Sequence, residues 1–571
     1  MKNDALTFDE LSHIPAGYSY VSQQDYRLNP EHPPLIKTLS ALPLLSLDLN
    51  FPENHPTWIQ EQGPIWWLQF DFGTQFLFNS DNPADKIIFL ARLPMILLLM
   101  LLGLFIFFWT RQLAGNKFAL MTLTLFSFSP TFLAHGRFVT TDVAATLGVV
   151  MATYFWLKFL KNPSKKNIIL AGIIFGIVML FKFSLILLIP FFGIITTIYP
   201  LLKHHGKFSN KIKQTLKYVV MAFLVGIIAV VFVILPAYYL HTVNYPPEKQ
   251  LSDTLFHLGP DIKPSEQICI YLSDKPVVRA LGHYMMGILM AGQRTVGGNT
   301  VYFMEMVSAS GWWFYFPVIF ALKIPLALLA LIIIALLPCI WTFKLRFWVK
   351  PVRRIKQWIL KHFTEFSMLT FMGIYLSFSM YGNLNIGIRH ILPIFPFMYI
   401  LICLGIKNLY QKAREKHLEK FVLAAVLILS VWYIGSSVKT FPYYLSYYNE
   451  LAGGTHEGYK HAVDSNYDWG QDLKRLVKYT EKNNIDNFYI DYFGGSNLDY
   501  YFGDRYIKWE SRTPSREFPK GNYLAVSANH LQGGRGFACP DFDQPTNYYR
   551  WLDQYEPIAR IGTSIFLYYI D

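Results

Sequence analysis

Four short runs of the sequence gather residue types that can move a proton or hold an anion. Thr7-Phe-Asp-Glu-Leu-Ser-His13 carries adjacent carboxylates, Asp9 and Glu10, and Arg27-Leu-Asn-Pro-Glu-His-Pro-Pro-Leu35 follows it with His32. Ala134-His-Gly-Arg-Phe-Val-Thr-Thr-Asp142 sets His135 and Arg137 close to an acid, Asp142. Asn383-Leu-Asn-Ile-Gly-Ile-Arg-His-Ile-Leu-Pro393 presents Arg389 and His390, and Gly311-Trp-Trp-Phe-Tyr315, with Glu305 upstream, presents Trp312 and Trp313. Paired carboxylates suit proton abstraction from a hydroxyl. Arg and His suit a phosphate, and Arg can grip two of its oxygens in a fork. Each run has a plainer reading by itself. The acids serve as helix caps and dipole complements, Arg389 and His390 as snorkelling side chains, and the tryptophans as an interfacial belt. Three clusters of acids and Arg/His pairs on one face favour a site.

That shared face follows from the elements that carry the clusters. Of 571 residues, 53% are hydrophobic and only 16% charged, whereas a soluble protein has about a quarter charged. The net charge of +13 does not signal a nucleic-acid partner, because the basic residues sit in short loops between apolar runs. About 20 apolar residues cross a hydrocarbon core, and ten candidate spans emerge: 87–109, 117–134, 138–160, 167–182, 184–202, 217–240, 315–341, 366–381, 389–407 and 421–438. Alternate loops are basic. They hold Arg111 and Lys117; Lys161, Lys165 and Lys166; Lys203, Lys207, Lys211 and Lys213; Lys344, Arg346, Lys350, Arg353, Arg354, Lys356 and Lys361; and Lys407, Lys412, Arg414, Lys416 and Lys420. The positive-inside rule assigns these loops to the cytoplasm. Residues 1–86, 241–314, 382–388 and 439–571 then lie outside. The chain reads as a polytopic membrane protein.

Three regions result: a first outer segment 1–86, a transmembrane domain 87–438 with the large outer loop 241–314, and an outer domain 439–571. The first has two expected surface helices, near 9–22 and 34–47. The last reads as a small α/β domain, with strands at 487–491, 523–527 and 564–568 and a helix over 469–482. Cys339 and Cys403 sit in apolar runs as packing residues, while Cys269 and Cys539 lie in polar regions where a pairing is conceivable. Met1-Lys-Asn-Asp4 has no adjoining apolar core, so it is not a signal peptide. An outer first segment without a leader implies either its unaided translocation or a preceding membrane helix beyond this sequence.

In combination these runs resemble bacterial glycosyltransferases of the protein O-mannosyltransferase type, glycosyltransferase family 39, with a GT-C fold. The resemblance rests on Phe8-Asp-Glu…His13-Ile-Pro-Ala-Gly-Tyr…Tyr26-Arg-Leu-Asn-Pro-Glu-His-Pro-Pro-Leu35, then Ala134–Asp142, Gly311-Trp-Trp-Phe-Tyr-Phe-Pro317, Gly387-Ile-Arg-His-Ile-Leu-Pro393 and Val463-Asp-Ser-Asn-Tyr-Asp-Trp-Gly-Gln-Asp472. It implies a mainly α, polytopic GT-C fold with a small extracytoplasmic α/β domain. It also implies sugar transfer from a polyprenyl-phosphate donor to a protein, lipid or glycan acceptor, with inversion at the anomeric carbon. The family's aspartate–glutamate pair matches Asp9-Glu10 and its second-loop aspartate matches Asp142. Where the related aminoarabinose transferases carry a lysine before Pro-Pro, this chain has His32, a candidate phosphate contact.

The resulting expectation is an enzyme of the outer face of a bacterial inner membrane. Asp9 takes the acceptor's proton, while Glu10 and Asp142 orient the acceptor or stabilise the sugar cation. Arg137, Arg389, His390 and His32 hold the leaving phosphate, which needs electrostatic stabilisation rather than a general acid. His135, Glu305, Trp312 and Trp313 contact substrate. Asp9 and Glu10 offer two ligands to a divalent cation, without a full ligand set around them. The rival readings are a secondary transporter and a non-catalytic membrane scaffold. Against the transporter, the charges gather at one face and no paired repeat is visible.

Overall fold

The structure is a computed structural model that describes residues 1–59, 68–204, 206–259, 263–338 and 351–571, and the backbone alone of 339–346. Lys344, Arg346 and Lys350 of the fourth basic loop, and Cys339, lie outside the described side chains.

All ten apolar segments are helical, yet they are not ten spans. Among the described residues, six helices are long and apolar enough to cross a membrane: Ala84–Ala114, Asp142–Lys161, Phe183–Lys203, Phe208–His241, Ile388–Arg414 and Glu419–Thr440. A seventh span results if Tyr315–Lys323 and Leu326–Pro338, which meet at 106°, count as one. The bend falls at Ile324-Pro325, where proline removes a backbone donor and disfavours helix in the residue before it. The expected span 117–134 is broken. Helix Asn116–Ser127 ends and Ser129 caps a new one, Pro130–His135, with Pro130 in its first turn. Helix Lys165–Met179 has 15 residues, about 22 Å at ~1.5 Å per residue, short of a hydrocarbon core of about 30 Å. Phe363–Tyr381 has the length but is diluted by Thr364, Glu365, Ser367, Thr370, Ser377 and Ser379.

The first outer segment forms helices Glu10–Ser22 and Pro34–Ala41, the latter running on as a 3-10 turn, Leu42–Ser46. They pack closely because Gly17 has no side chain: a Cβ there would sit 2.2 Å from the Lys37 carbonyl oxygen. Buried Lys37 closes the intervening loop, its Nζ donating to Tyr20 Oη (2.8 Å), Asn29 O (2.6 Å), Asn29 Oδ1 (2.9 Å) and His32 O (3.0 Å). The outer loop 241–314 adds helices Pro247–Leu258, Pro264–Ser273 and Arg279–Gly297, then a hairpin of β1 (Val301–Phe303) and β2 (Met306–Ser308).

The C-terminal region holds β3 (Phe488–Asp491), β4 (Tyr506–Lys508), β5 (Asn522–Ser527), β6 (Phe537–Ala538), β7 (Ala559–Ile561) and β8 (Ile565–Ile570). The expected strands correspond to β3, β5 and β8, and the expected helix to Leu473–Asn483. Five strands form one sheet in the order β4-β3-β5-β8-β7, with β3 parallel to β4 and β5, and β5 antiparallel to β8. The sixth, β6, pairs in parallel with β2, tying the outer loop to the C-terminal region. Asp541 completes that tie by accepting from Ser308 Oγ (2.8 Å) and Ser310 Oγ (2.6 Å). Cys269, Cys403 and Cys539 are free thiols, so the conceivable 269–539 pairing is absent.

Candidate active site

Three spans begin with polar residues at one end of the helical body: Asp142, the Lys182-Phe183 junction, and Arg389. Their other ends carry Lys158 and Lys161, Lys203, and Lys412 and Arg414. Lys182 itself is extended (φ −157°, ψ 138°), the break between helices Lys165–Met179 and Phe183–Lys203. At this end a cavity of about 1000 Å³ opens under the first outer segment and the C-terminal region.

Asp9, Lys182 and Arg389 line the cavity, and Asp142 is buried between the two cations. Lys182 Nζ reaches Asp142 Oδ1 at 2.5 Å, and Arg389 Nη1 reaches Asp9 Oδ2 at 2.6 Å and Asp142 Oδ2 at 3.4 Å. Such charge-assisted pairs are strong where water is scarce. The guanidinium is fixed on two further sides. Its Nε donates to Ser465 Oγ (3.1 Å), and it lies over the Trp469 ring at 4.3 Å. Ser465 donates in turn to Ile386 O at 2.5 Å, while Asn466 Oδ1 accepts from the Ile388 N–H at 3.0 Å. Lys323 donates to the carbonyls of Leu445 and Asn466, clamping that segment against the bent helix pair.

The rest of the lining mixes polar and apolar groups. His13, Glu31, His32, Arg294, His390 and Asp464 contribute polar groups; Ile186, Leu187, Ile288, Phe378 and Leu384 contribute apolar ones. His390 Nε2 is buried and has no hydrogen-bond partner among the described residues. Burial raises two carboxyls: Glu31 to about 7, against the pull of Arg294, and Asp464 to about 6, against that of Arg389. Burial likewise pushes His13 down and His32 well down, favouring neutral imidazoles.

Thus Asp9, Asp142, Arg389, His390 and His32 converge, as the sequence suggested. Six other candidates do not line the cavity. Glu10 is fully buried and its carboxylate is filled: it accepts from Thr7 N and Oγ1 (3.0 Å each), Val139 N (2.9 Å), Arg92 Nε (2.8 Å) and Arg92 Nη2 (2.6 Å). That occupancy also takes it from the divalent cation that an adjacent acid pair suggested. Among the described residues no group of three or more His, Cys, Asp or Glu is placed to hold a metal. Arg137 turns to Asp4 at 3.0 Å. His135 is buried edge-on to Trp469, and burial drops it to about 3. Glu305 is exposed at the β1–β2 turn, where its carbonyl accepts from Phe537 N. Trp312 packs on Phe303, and Trp313 is 68% exposed.

Lys182, Glu31, Arg294, Asp464 and Trp469 were not among the sequence candidates. Lys182 had a signal, since a lone lysine between two apolar runs is a functional hypothesis in a membrane protein. Asp464 and Trp469 lie in the Val463–Asp472 run that carried the resemblance.

A family model described as dolichyl-phosphate-mannose-protein mannosyltransferase matches residues 84–235. Over this stretch the chain is similar to that family. The matched stretch contains Arg92, Asp142 and Lys182, and leaves Asp9 and Arg389 outside it. Among solved structures, ArnT from Cupriavidus metallidurans is similar both bound to undecaprenyl phosphate (13% identity, TM-score 0.41) and in the apo state (12%, 0.42). Each of these covers 99% of this chain and 94% of the ArnT chain. The archaeal oligosaccharyltransferase AglB from Archaeoglobus fulgidus, in complex with an inhibitory peptide and a dolichol-phosphate, is similar at 12% identity and TM-score 0.43, over 92% of this chain and 66% of its own. No curated protein matches the chain.

Proposed function

We propose that this chain is an integral-membrane glycosyltransferase that moves a sugar from a polyprenyl-phosphate donor to an acceptor arriving from the aqueous side. The observation that carries the reading is the Asp9–Arg389–Asp142–Lys182 network, set in a cavity lined by both charged and apolar side chains. The family match over the stretch that supplies Asp142 and Lys182 supports it. A phosphodiester head group meets cations at Lys182, Arg294 and Arg389, its isoprenoid tail meets the apolar side chains, and His390 Nε2 supplies one further polar contact.

In the structure Arg389 holds Asp9. A donor phosphodiester, whose two non-bridging oxygens suit the guanidinium's fork, competes with Asp9 for Arg389, and in doing so frees Asp9 to accept a proton. The acceptor's nucleophile then attacks the anomeric carbon as Asp9 takes its hydrogen, and the C–O bond to phosphate breaks. The electron pair leaves on the phosphate, which the cations stabilise. Attack opposite the leaving group inverts the anomeric centre. Asp142 acts through the cations it pairs with, aligning Lys182 and Arg389 rather than touching the acceptor. By the positive-inside rule the basic ends of the spans belong in the cytoplasm, which supports a cavity on the outer side of a bacterial inner membrane.

The test uses the purified protein in proteoliposomes with labelled polyprenyl-phosphate sugars, alongside mass spectrometry of surface glycoconjugates from cells with and without the gene. Loss of one glycan with the gene, restored by wild type and not by Asp9→Asn, supports the reading. Solute uptake into the vesicles, without consumption of any donor, sinks it.

A further inference from the structure

The C-terminal sheet ends in a second cluster of titratable groups, apart from the phosphate network. Asp491 is the last residue of β3, and its carboxylate accepts from Ser511 Oγ (2.6 Å), Tyr549 Oη (2.5 Å) and His530 Nδ1 (2.7 Å). His530 stands in the first turn of helix Ala528–Arg535, which starts directly after β5. The cluster therefore occupies the C-terminal ends of two neighbouring parallel strands, the place where open α/β sheets hold ligands.

An ionised Asp491 can only accept, so Nδ1 carries a proton; burial opposes a second one, but Asp491 and Asp468 outweigh it and raise the ring above its ordinary value, so Nε2 donates when the ring is charged and accepts when it is neutral. No hydrogen bond from the described residues reaches Nε2, and 30% of the side chain is exposed. Two hydroxyls already serve Asp491, so its own satisfaction does not require a half-open imidazole. What the carboxylate does for His530 is fix its ring and tautomer. The edge of that ring meets Phe493 at 5.7 Å, Phe493 stacks on Phe8 at 5.7 Å, and both phenyl rings line the reaction cavity next to Asp9. A path of aromatic surface thus leads from the proposed base to an oriented ring nitrogen on the C-terminal region.

We propose that Phe493 and His530 form an acceptor subsite for a sugar ring, whose C–H face lies on the phenyl surface while a hydroxyl, which can donate or accept, hydrogen-bonds His530 Nε2. Asp491 is the positioning residue of that subsite. This deepens the glycosyltransferase reading and rests on it: the acceptor is a glycan or glycolipid.

The experiment titrates membranes from cells lacking the gene, as acceptor source, against the reconstituted protein at saturating labelled donor, and titrates donor separately. Loss of one hydrogen bond predicts that His530→Ala raises the membrane amount for half-maximal transfer about tenfold, with donor half-saturation within about twofold of wild type. Asp491→Asn should fall between, and His530→Gln, which keeps an acceptor atom, should recover part of the loss. The labelled product should resist protease. Unchanged acceptor dependence in all three variants overturns the subsite. So does a joint rise in donor and acceptor requirements with a lowered thermal midpoint, which assigns the cluster to folding. A protease-labile product overturns the sugar-ring acceptor in favour of protein. If wild type itself makes no product, the glycosyltransferase reading fails first and takes the subsite with it.

Discussion

Asp9 and Glu10 are neighbours with opposite tasks, and the difference lies in what each carboxylate faces. Asp9 has one strong partner, Arg389, at the cavity edge; Glu10 is held by Arg92, Thr7 and Val139. Asp9→Asn keeps the shape and removes the base, so transfer should fall by ~100-fold or more with the protein still folded, as a single-turnover assay on labelled donor would show. Glu10→Gln strands a buried Arg92 and should instead cost about 3–5 kcal/mol of stability, read as a lowered melting midpoint in detergent. Burial pushes the Glu10 carboxyl up, but Arg92 outweighs it and holds Glu10 below its ordinary value. The pair's stabilisation is therefore present above the unfolded carboxyl's value of about 4.3 and fades as pH falls through the lower native one. Glu31 behaves the other way. Burial lifts it to about 7, so the native state keeps a proton that the unfolded chain releases earlier, and stability declines as pH rises between those values. Glu31→Gln has no proton to lose. It should be more stable than wild type by about 1–3 kcal/mol above pH 7 and no different near pH 4. A constant offset at both pH values would remove Glu31 from the titrating groups of the cavity.

At the scale of elements, local pattern was legible and continuity was not. Apolar runs marked all six helices that can cross among the described residues, because burial in lipid requires about 20 apolar residues in a row, but not the basic helix Pro351–Lys361. The breaks came from single residues that barely dent hydropathy, such as Pro130 and Pro325. The motif runs were legible too, but not which members turn inward. Arg137 and His135 share the hairpin with Asp142 but do not line the cavity: Arg137 pairs with Asp4, and His135 packs on Trp469. Their direction is set by partners far along the chain, and no spacing rule reaches Asp4 or Arg92. Gly17 shows the same limit, since its reason is the Lys37 carbonyl twenty residues later. Gly17→Ala must push the two helices of the first outer segment apart, at about 1–3 kcal/mol. Because Lys37 also closes the Glu31–His32 loop, the same change should raise the donor concentration for half-maximal transfer. A Gly17→Ala protein with wild-type melting and wild-type donor dependence would show that the packing relaxes without cost.

For the whole molecule, sidedness is what lets an acceptor from water meet a donor from the membrane. Three observations bear on it independently. Basic residues cluster at the ends of the spans opposite the cavity; the cavity is roofed by the first outer segment; and Asp464, Trp469 and Phe493 bring the C-terminal region to the same roof. One membrane face must therefore hold the cavity, the first segment and the C-terminal sheet together, and the proposal that this face is the outer one rests on the positive-inside rule. Single added cysteines test this in a Cys339→Ser, Cys539→Ser background, since Cys269 and Cys403 are buried. Lys520→Cys lies on the exposed turn before β5 and Lys207→Cys on the exposed basic loop after Phe183–Lys203. In intact spheroplasts a membrane-impermeant maleimide should label position 520 at once, and position 207 only after the membrane is opened. The reverse pattern would put the cavity on the cytoplasmic face and its acceptor among cytoplasmic molecules. Labelling of both from outside would mean that the basic loops do not set the orientation, and the case for an outward-facing cavity would go with them.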